Sequence, residues 1–137
     1  MTTIRIMVTG ERDWEDREMV FHALDAQLAR AALINATLVV IHGDCPTGAD
    51  AFAQEWCEQN EVEPERFPAD WFHGGSRLRI DLSAGPRRNR KMIATKPDGW
   101  LAFWSGRVSG SGTHDCFMAA TRAGIDGIVY AKNRRGA

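Results

Sequence analysis

Hydrophobic positions along the chain fall into two alternating kinds of segment. Ile4 to Val8, Leu38 to Ile41 and Gly99 to Trp104 are short continuous apolar runs, with the length and composition of buried strands. Longer segments between them place apolar residues at helical spacing. Met19, Val20, Ala23, Leu24, Leu28 and Ala31 mark one face of a helix from about Asp16 to Ala32. Ala49, Phe52, Ala53 and Trp56 mark a second, from about Gly48 to Asn60. Strand two is expected over Thr37 to His42, and a weak third strand near Val62 to Phe67. Gly85-Pro86 starts helix three, with Pro86 suited to a first turn and only Met92, Ile93 and Ala94 to form an inner face. Helix four runs from about Thr113 to Ala123, where Gly124 stops it, and Ile128 to Tyr130 is strand five.

Strands alternating with helices build a parallel sheet through right-handed crossovers. Continuous rather than alternating apolar runs imply helices on both faces. The expected fold is therefore α/β: a small doubly wound parallel sheet of about five strands with helices on both faces. It forms one domain over 1–131, and 132–137 is a basic tail without an apolar anchor.

Ligands bind such sheets at the carboxyl ends of the strands, where strand order reverses. Glycine-rich loops fall at that edge: Thr9 to Trp14 around Gly10, then Gly43 to Gly48, then Ser105 to Gly112. The middle one, Ile-His-Gly-Asp-Cys-Pro-Thr-Gly-Ala-Asp over 41–50, reads as strand, turn and helix start, which offers N–H donors to an anion. Thr47 followed by Asp50 reads as a capping box that starts the helix near Gly48. Gly43 and Gly48 have P-loop glycine spacing, but Ala49 and Asp50 stand where Lys and Ser/Thr would be, which argues against an NTPase. A smaller phosphate, a ribose held by Asp50, or a plain capped turn all fit. In the last loop Gly110 and Gly112 let a ligand approach the backbone, and Ser109, Ser111 and Thr113 add hydroxyls. The GxGxxG motif is absent, so no nicotinamide or flavin cofactor is expected.

Other side chains at this edge have both a chemical and a structural reading. Arg12 and Arg90 can clamp a phosphate or make surface ion pairs. Trp14, Trp71 and Trp104 can stack on a base or pack in the core. Asp13, Asp44, Asp50 and Asp115 suit ribose hydroxyls or acid–base work, and Asp50 and Asp115 also suit helix starts. His42 and His114 lack a third ligand at metal spacing, so no metal is expected. Cys45, in a turn before a helix, is a candidate for a lowered thiol pKa. The stretch from Pro68 to Ala84, with Trp71, Phe72, Gly74 and Gly75, is long enough to be a functional or mobile loop.

Hydrophobic content of 44% and charged content of 26% are those of an ordinary globular chain. No apolar run is long enough to span a membrane, and the N-terminus lacks the apolar core of a secretory signal. Three cysteines without a CxxC pair fit a reducing cytoplasm. Net charge is −1, yet residues 1–70 carry −9 and residues 71–137 carry +8. Segment 77–96 concentrates Arg77, Arg79, Arg87, Arg88, Arg90, Lys91 and Lys96 against Asp81. That cluster suits phosphates, a solvated face, or a dimer surface facing acidic residues.

Val8-Thr9-Gly10-Glu11-Arg12-Asp13-Trp14, His42-Gly43-Asp44-Cys45-Pro46-Thr47-Gly48-Ala49-Asp50, Pro68-Ala69-Asp70-Trp71, Ala84-Gly85-Pro86-Arg87-Arg88-Asn89 and Gly110-Ser111-Gly112-Thr113 occur in this order along most of the chain. Together they resemble the YspA/cpYpsA-related branch of the SLOG superfamily. The resemblance implies a Rossmann-like fold, a nucleotide or nucleotide-derived ligand such as ADP-ribose, and a tendency to self-associate. It extends to the lonely-guy phosphoribohydrolases and to the DNA-processing protein A family, which binds single-stranded DNA. Lonely-guy enzymes use an Arg from an Arg-Lys pair and a Glu after Gly-Thr. Arg90-Lys91 resembles the first element, whereas Cys116 stands where the Glu is expected and Asp115 is its acidic neighbour. Glu11 replaces the more usual Ser and would set a negative charge near a phosphate. The first expectation is a sensor or sequestering module whose ligand meets the motif residues above, Asn89 included. The second is a nucleotide hydrolase with Arg90 and Asp115 as its catalytic pair. Nucleic-acid binding by segment 77–96 is least favoured, given the acidic first half, and no membrane partner is expected.

Overall fold

In the computed structural model, which describes residues 2–72, 80–108 and 111–131, the chain runs β1 (Thr3–Gly10), α1 (Arg17–Leu33), β2 (Thr37–His42), α2 (Gly48–Asn60), β3 (Glu63–Arg66), α3 (Ala84–Ala94), β4 (Gly99–Trp104), α4 (Gly112–Arg122), β5 (Gly127–Ala131). The strands form one five-stranded sheet in the order β3-β2-β1-β4-β5, and every pairing is parallel. This is a Rossmann-like, doubly wound α/β sheet with helices on both faces.

Period-two side-chain alternation explains why the centre of β1, Ile6 to Val8, and all of β4 are apolar. Ile6 and Val8 of β1, with Leu101 and Phe103 of β4, face the core beneath α1 and α2. Met7, Trp100 and Ala102 face the opposite core, beneath α3 and α4. Where a strand is buried on both sides, both sets of alternating positions favour apolar residues. Trp56 of α2 is fully buried and donates its indole N–H to Asp25 at 2.9 Å, so its apolar body contributes without an unmet donor.

Element ends differ from the apolar runs where pairing, rather than side-chain type, sets them. β1 continues through Thr9 and Gly10 because they pair with Ala102 and Phe103. β5 gains Gly127 and Ala131 by pairing with Trp100 and Trp104. The capping box at α2 does not form. Thr47 makes no cap bond; its hydroxyl donates to the Arg12 carbonyl at 2.8 Å, and the Asp50 carboxylate turns back to the Gly43 N–H at 3.1 Å. Tertiary partners outcompete the local cap.

Strand order reverses between β1 and β4. From β1 the chain winds one way through β2 to β3, then returns by α3 on the other face to β4. The loops leaving β1 and β4 therefore diverge and leave a crevice above their carboxyl ends.

Candidate functional site

A cavity of about 740 Å³ fills that crevice. Gly10, Glu11, Arg12 and Asp13 enter from the loop after β1, and Gly43, Cys45 and Asp50 from the turn after β2. Gly85, Arg88, Asn89 and Met92 of α3 form another wall, with Trp71 beside them. Arg107, Ser111, Gly112, Thr113 and Asp115 close the circuit from β4 into α4. Of the residues singled out in the sequence, Gly10, Arg12, Asp13, Gly43, Asp50, Trp71, Asn89, Ser111, Gly112, Thr113 and Asp115 border this one space. Gly110 and Ser109 lie outside the described residues, as do Arg77, Arg79, Gly74, Gly75 and the tail 132–137.

Trp14, Asp44, Thr47, Gly48 and Arg90 do not border it. Trp14 is buried against Phe103, with ring centroids 5.8 Å apart, and its indole N–H is used by the Asp16 carbonyl. A core tryptophan so placed offers no face to a base. Trp104 packs on His114 and Phe117 rather than toward the cavity. Asp44 adopts φ of 58° and donates its N–H to His42 Nδ1 at 3.0 Å. The other ring nitrogen of the buried His42, Nε2, lies 2.8 Å from the Gln54 side-chain oxygen Oε1. Among the described residues no group of three or more His, Cys, Asp or Glu could hold a metal.

The start of α2 is closed by the backbone of the β1 loop. The Glu11 carbonyl accepts from the Ala49 N–H at 3.4 Å and from the Trp14 N–H at 3.1 Å. Gly48, at φ of 74°, packs directly on Glu11 and Arg12. The start of α4 is open by contrast. Ser111 caps the His114 N–H at 3.1 Å, and no described atom lies within 4 Å of where a Cβ on Gly112 would stand. Of these two helix starts, that of α4 is the one the described residues leave accessible to an anion.

Arg88 and Arg107 are cavity cations that loop motifs did not single out. Gly85, Arg88, Asn89 and Met92 follow i, i+3, i+4, i+7 spacing, the inner stripe of α3. Arg90 is off that stripe and exposed. The stripe was present in the sequence and would have favoured Arg88. Its guanidinium donates to the Gly43 carbonyl at 2.5 Å, the Phe67 carbonyl at 3.2 Å and the Asn89 side chain at 2.8 Å. A Cβ on Gly43 would stand 2.5 Å from Arg88 Nη1 and 2.9 Å from Asp50 Oδ2, so glycine leaves room there for the guanidinium and the carboxylate. Elsewhere in the basic segment Arg87 pairs with Asp81, while Lys91 and Lys96 are exposed.

The charge on Glu11 is answered within the protein. Its carboxylate accepts from the Ser105 N–H at 3.0 Å and the Ser105 hydroxyl at 2.8 Å, with Arg107 at 3.6 Å. Glu11 thus ties the β1 loop to the β4 loop. Arg12 lies over the Trp71 ring, 4.6 Å from its centroid, and makes a cation–π shelf on the cavity wall.

Burial raises the pKa of Asp50, opposed by the neighbouring His42 ring, by hydrogen bonds from Cys45 and by the charge of Arg88. Burial likewise pushes the Cys45 thiol up, reinforced by the Asp50 carboxylate. The lowered thiol pKa expected from a turn before a helix is reversed, because the thiol is largely buried and the Asp50 carboxylate sits beside the sulfur.

Residues 4–74 match the family model described as the YspA, cpYpsA-related SLOG family. The Gene 61 protein of Mycobacterium phage D29 is 38% identical over 132 residues, which covers 92% of this chain and 95% of that protein. Among the described residues no helix is long and apolar enough to cross a membrane.

Proposed function

The chain belongs to the YspA, cpYpsA-related SLOG family, and from that premise we propose that its cavity binds a nucleotide-derived, ADP-ribose-like molecule, the protein acting as a sensor or sequestering module. Family membership itself suggests a nucleotide-related role. The observation that carries the finer reading is convergence. Loops after β1, β2 and β4, far apart in sequence, border one cavity at the reversal of strand order. Its volume of about 740 Å³ is within the range of small-molecule clefts.

Each ligand part has a chemical counterpart. A phosphate meets the open start of α4 at Gly112 and Thr113, with the Arg88 guanidinium opposite. Ribose hydroxyls meet Asp115 or Asp13, since Asp50 already accepts from the Gly43 and Cys45 N–H groups at 3.1 and 3.4 Å. A base lies along the Arg12–Trp71 shelf. Isothermal titration with AMP, ADP-ribose and cyclic nucleotides tests this; absence of heat with every one of them removes the reading.

Asp115 on the cavity wall favours one rival, a nucleotide hydrolase. Asp115 would act as acid–base group, with Arg88 rather than Arg90 stabilising developing charge. Release of free base or ribose phosphate, lost in Asp115→Asn, distinguishes turnover from binding.

A further inference from the structure

Glu11 is a charged residue on the cavity border, yet it is only 6% exposed. Its backbone already fastens the loop after β1. The Glu11 N–H donates to the Phe103 carbonyl of β4 at 3.2 Å, and the Glu11 carbonyl accepts from Trp14 and Ala49. Holding the β1 loop against β4 and α2 therefore does not require a carboxylate. What the side chain does is occupy a set of donors. Ser105 gives its backbone N–H to one carboxylate oxygen at 3.0 Å and its hydroxyl to the other at 2.8 Å. Arg107 approaches that second oxygen at 3.6 Å, an ion pair longer than a hydrogen bond. The Arg107 side chain is 58% exposed and also borders the cavity. A backbone N–H, a hydroxyl and a guanidinium converging on two oxygens are the donors that recognise a phosphate. In this chain they are filled by the protein's own anion.

We propose that Glu11 is a specificity-determining residue: an internal anion that fills an oxyanion cradle at the end of β4 and so refuses a terminal phosphate there. The proposal rests on the reading of the cavity as a nucleotide-type site and narrows it. A second anion brought beside Glu11 finds the Ser105 donors taken and meets a like charge on a partly desolvated wall. The ligand class is then one whose phosphate is met at the start of α4, by Gly112 and Thr113, and whose end toward Ser105 carries no phosphate. Nucleoside monophosphates and ADP-ribose satisfy this; a nucleoside polyphosphate reaching the cradle does not.

Calorimetric titration with inorganic phosphate, against chloride at equal ionic strength, tests the cradle without any nucleotide. Glu11→Ser empties it, so this variant should bind phosphate about tenfold or more tighter than wild type, the gain expected of charge-assisted hydrogen bonds. Arg107→Ala added to Glu11→Ser should abolish that gain. Equal affinity in wild type and Glu11→Ser overturns the proposal, as does a gain that survives the loss of Arg107. In a second arm, wild type should favour AMP over ADP about tenfold or more, and Glu11→Ser should reduce or reverse the preference. A wild type that binds both alike overturns the specificity. A wild type that binds neither removes the nucleotide reading, and the phosphate comparison still decides the cradle. Should Glu11→Ser lose its circular dichroism spectrum, Glu11→Gln takes its place, since it keeps the length and an acceptor for the Ser105 N–H. Loss of the charge alone should tighten inorganic phosphate several-fold, and unchanged affinity overturns the proposal.

Discussion

Replacing Gly48 by alanine should destabilise the fold far more than the same change at Gly112, although both glycines start helices. At Gly48 the backbone has φ of 74°, a region that costs an L-residue about 1–2 kcal/mol. The new Cβ would stand 2.8 Å from Arg12 Cα and closer still to the Glu11 carbonyl oxygen. Both are backbone atoms, so relief requires the β1 loop and α2 to separate; overpacking of this kind costs about 1–3 kcal/mol. Separation also stretches the bonds from Trp14 and Ala49 to the Glu11 carbonyl, 3.1 and 3.4 Å long, for about another 1 kcal/mol. The sum, about 3–6 kcal/mol, is a large share of the 5–15 kcal/mol typical of a domain. With a urea slope of about 2 kcal/mol per molar, the midpoint falls by about 1.5–3 M. Gly112→Ala meets no described atom within 4 Å and should stay within about 0.5 kcal/mol of wild type. Urea unfolding followed by far-ultraviolet circular dichroism compares the two. A Gly48→Ala chain within 1 kcal/mol of wild type would refute the closed α2 start, and with it the assignment of the anion to α4.

Arg88→Ala should weaken a phosphate-bearing ligand about ten- to a hundredfold through loss of charge-assisted hydrogen bonds, whereas Arg90→Ala should change it less than about twofold; titration of both against AMP or ADP-ribose checks the order. Asp50, whose pKa is raised by burial from 3.8, favours the fold when protonated. That contribution is fully present below the ordinary carboxylate value and is lost as pH rises toward the raised one. Asp50→Asn should therefore gain stability relative to wild type between acid and neutral pH, and a pH-independent difference in urea midpoints would count against it. Burial pushes Cys57 up to about 12 and Cys116 up to about 11, so alkylation of the native protein at mildly alkaline pH should modify half-buried Cys45 first. Peptide mass mapping that finds Cys57 labelled earliest would contradict the buried α2 face.

Much of the architecture was legible because it rests on periodicity. β2, α2 and β4 match the expected boundaries of 37–42, 48–60 and 99–104, since Gly43, Gly48 and Gly99 mark where the apolar runs and the helical spacing begin or end. β3 was faint in the sequence and is short in the structure, an edge strand with proline and charge instead of apolar side chains. The loops that border the cavity were legible as well, through glycine and motif spacing. Which side chains within them turn inward was not. Trp14 and Trp71 each follow a strand, yet one packs on Phe103 and the other meets Arg12. Thr47 and Asp50 have capping-box spacing, yet partners 35 and seven residues away claim their oxygens.

By itself the sequence determined the order of strands and helices, the burial of both sheet faces, and the edge at which glycine-rich turns gather. These follow from local spacing, because a pattern of period two or 3.6 commits a segment wherever it lies. Tertiary structure alone decided that the α2 start is sealed by Glu11 while the α4 start is open, and that Arg88 rather than Arg90 faces the cavity. It also decided that the charge on Glu11 is spent on Ser105 and Arg107, 94 and 96 positions further along the chain. Such outcomes depend on which distant groups reach the same few ångströms, and residue spacing carries no record of that.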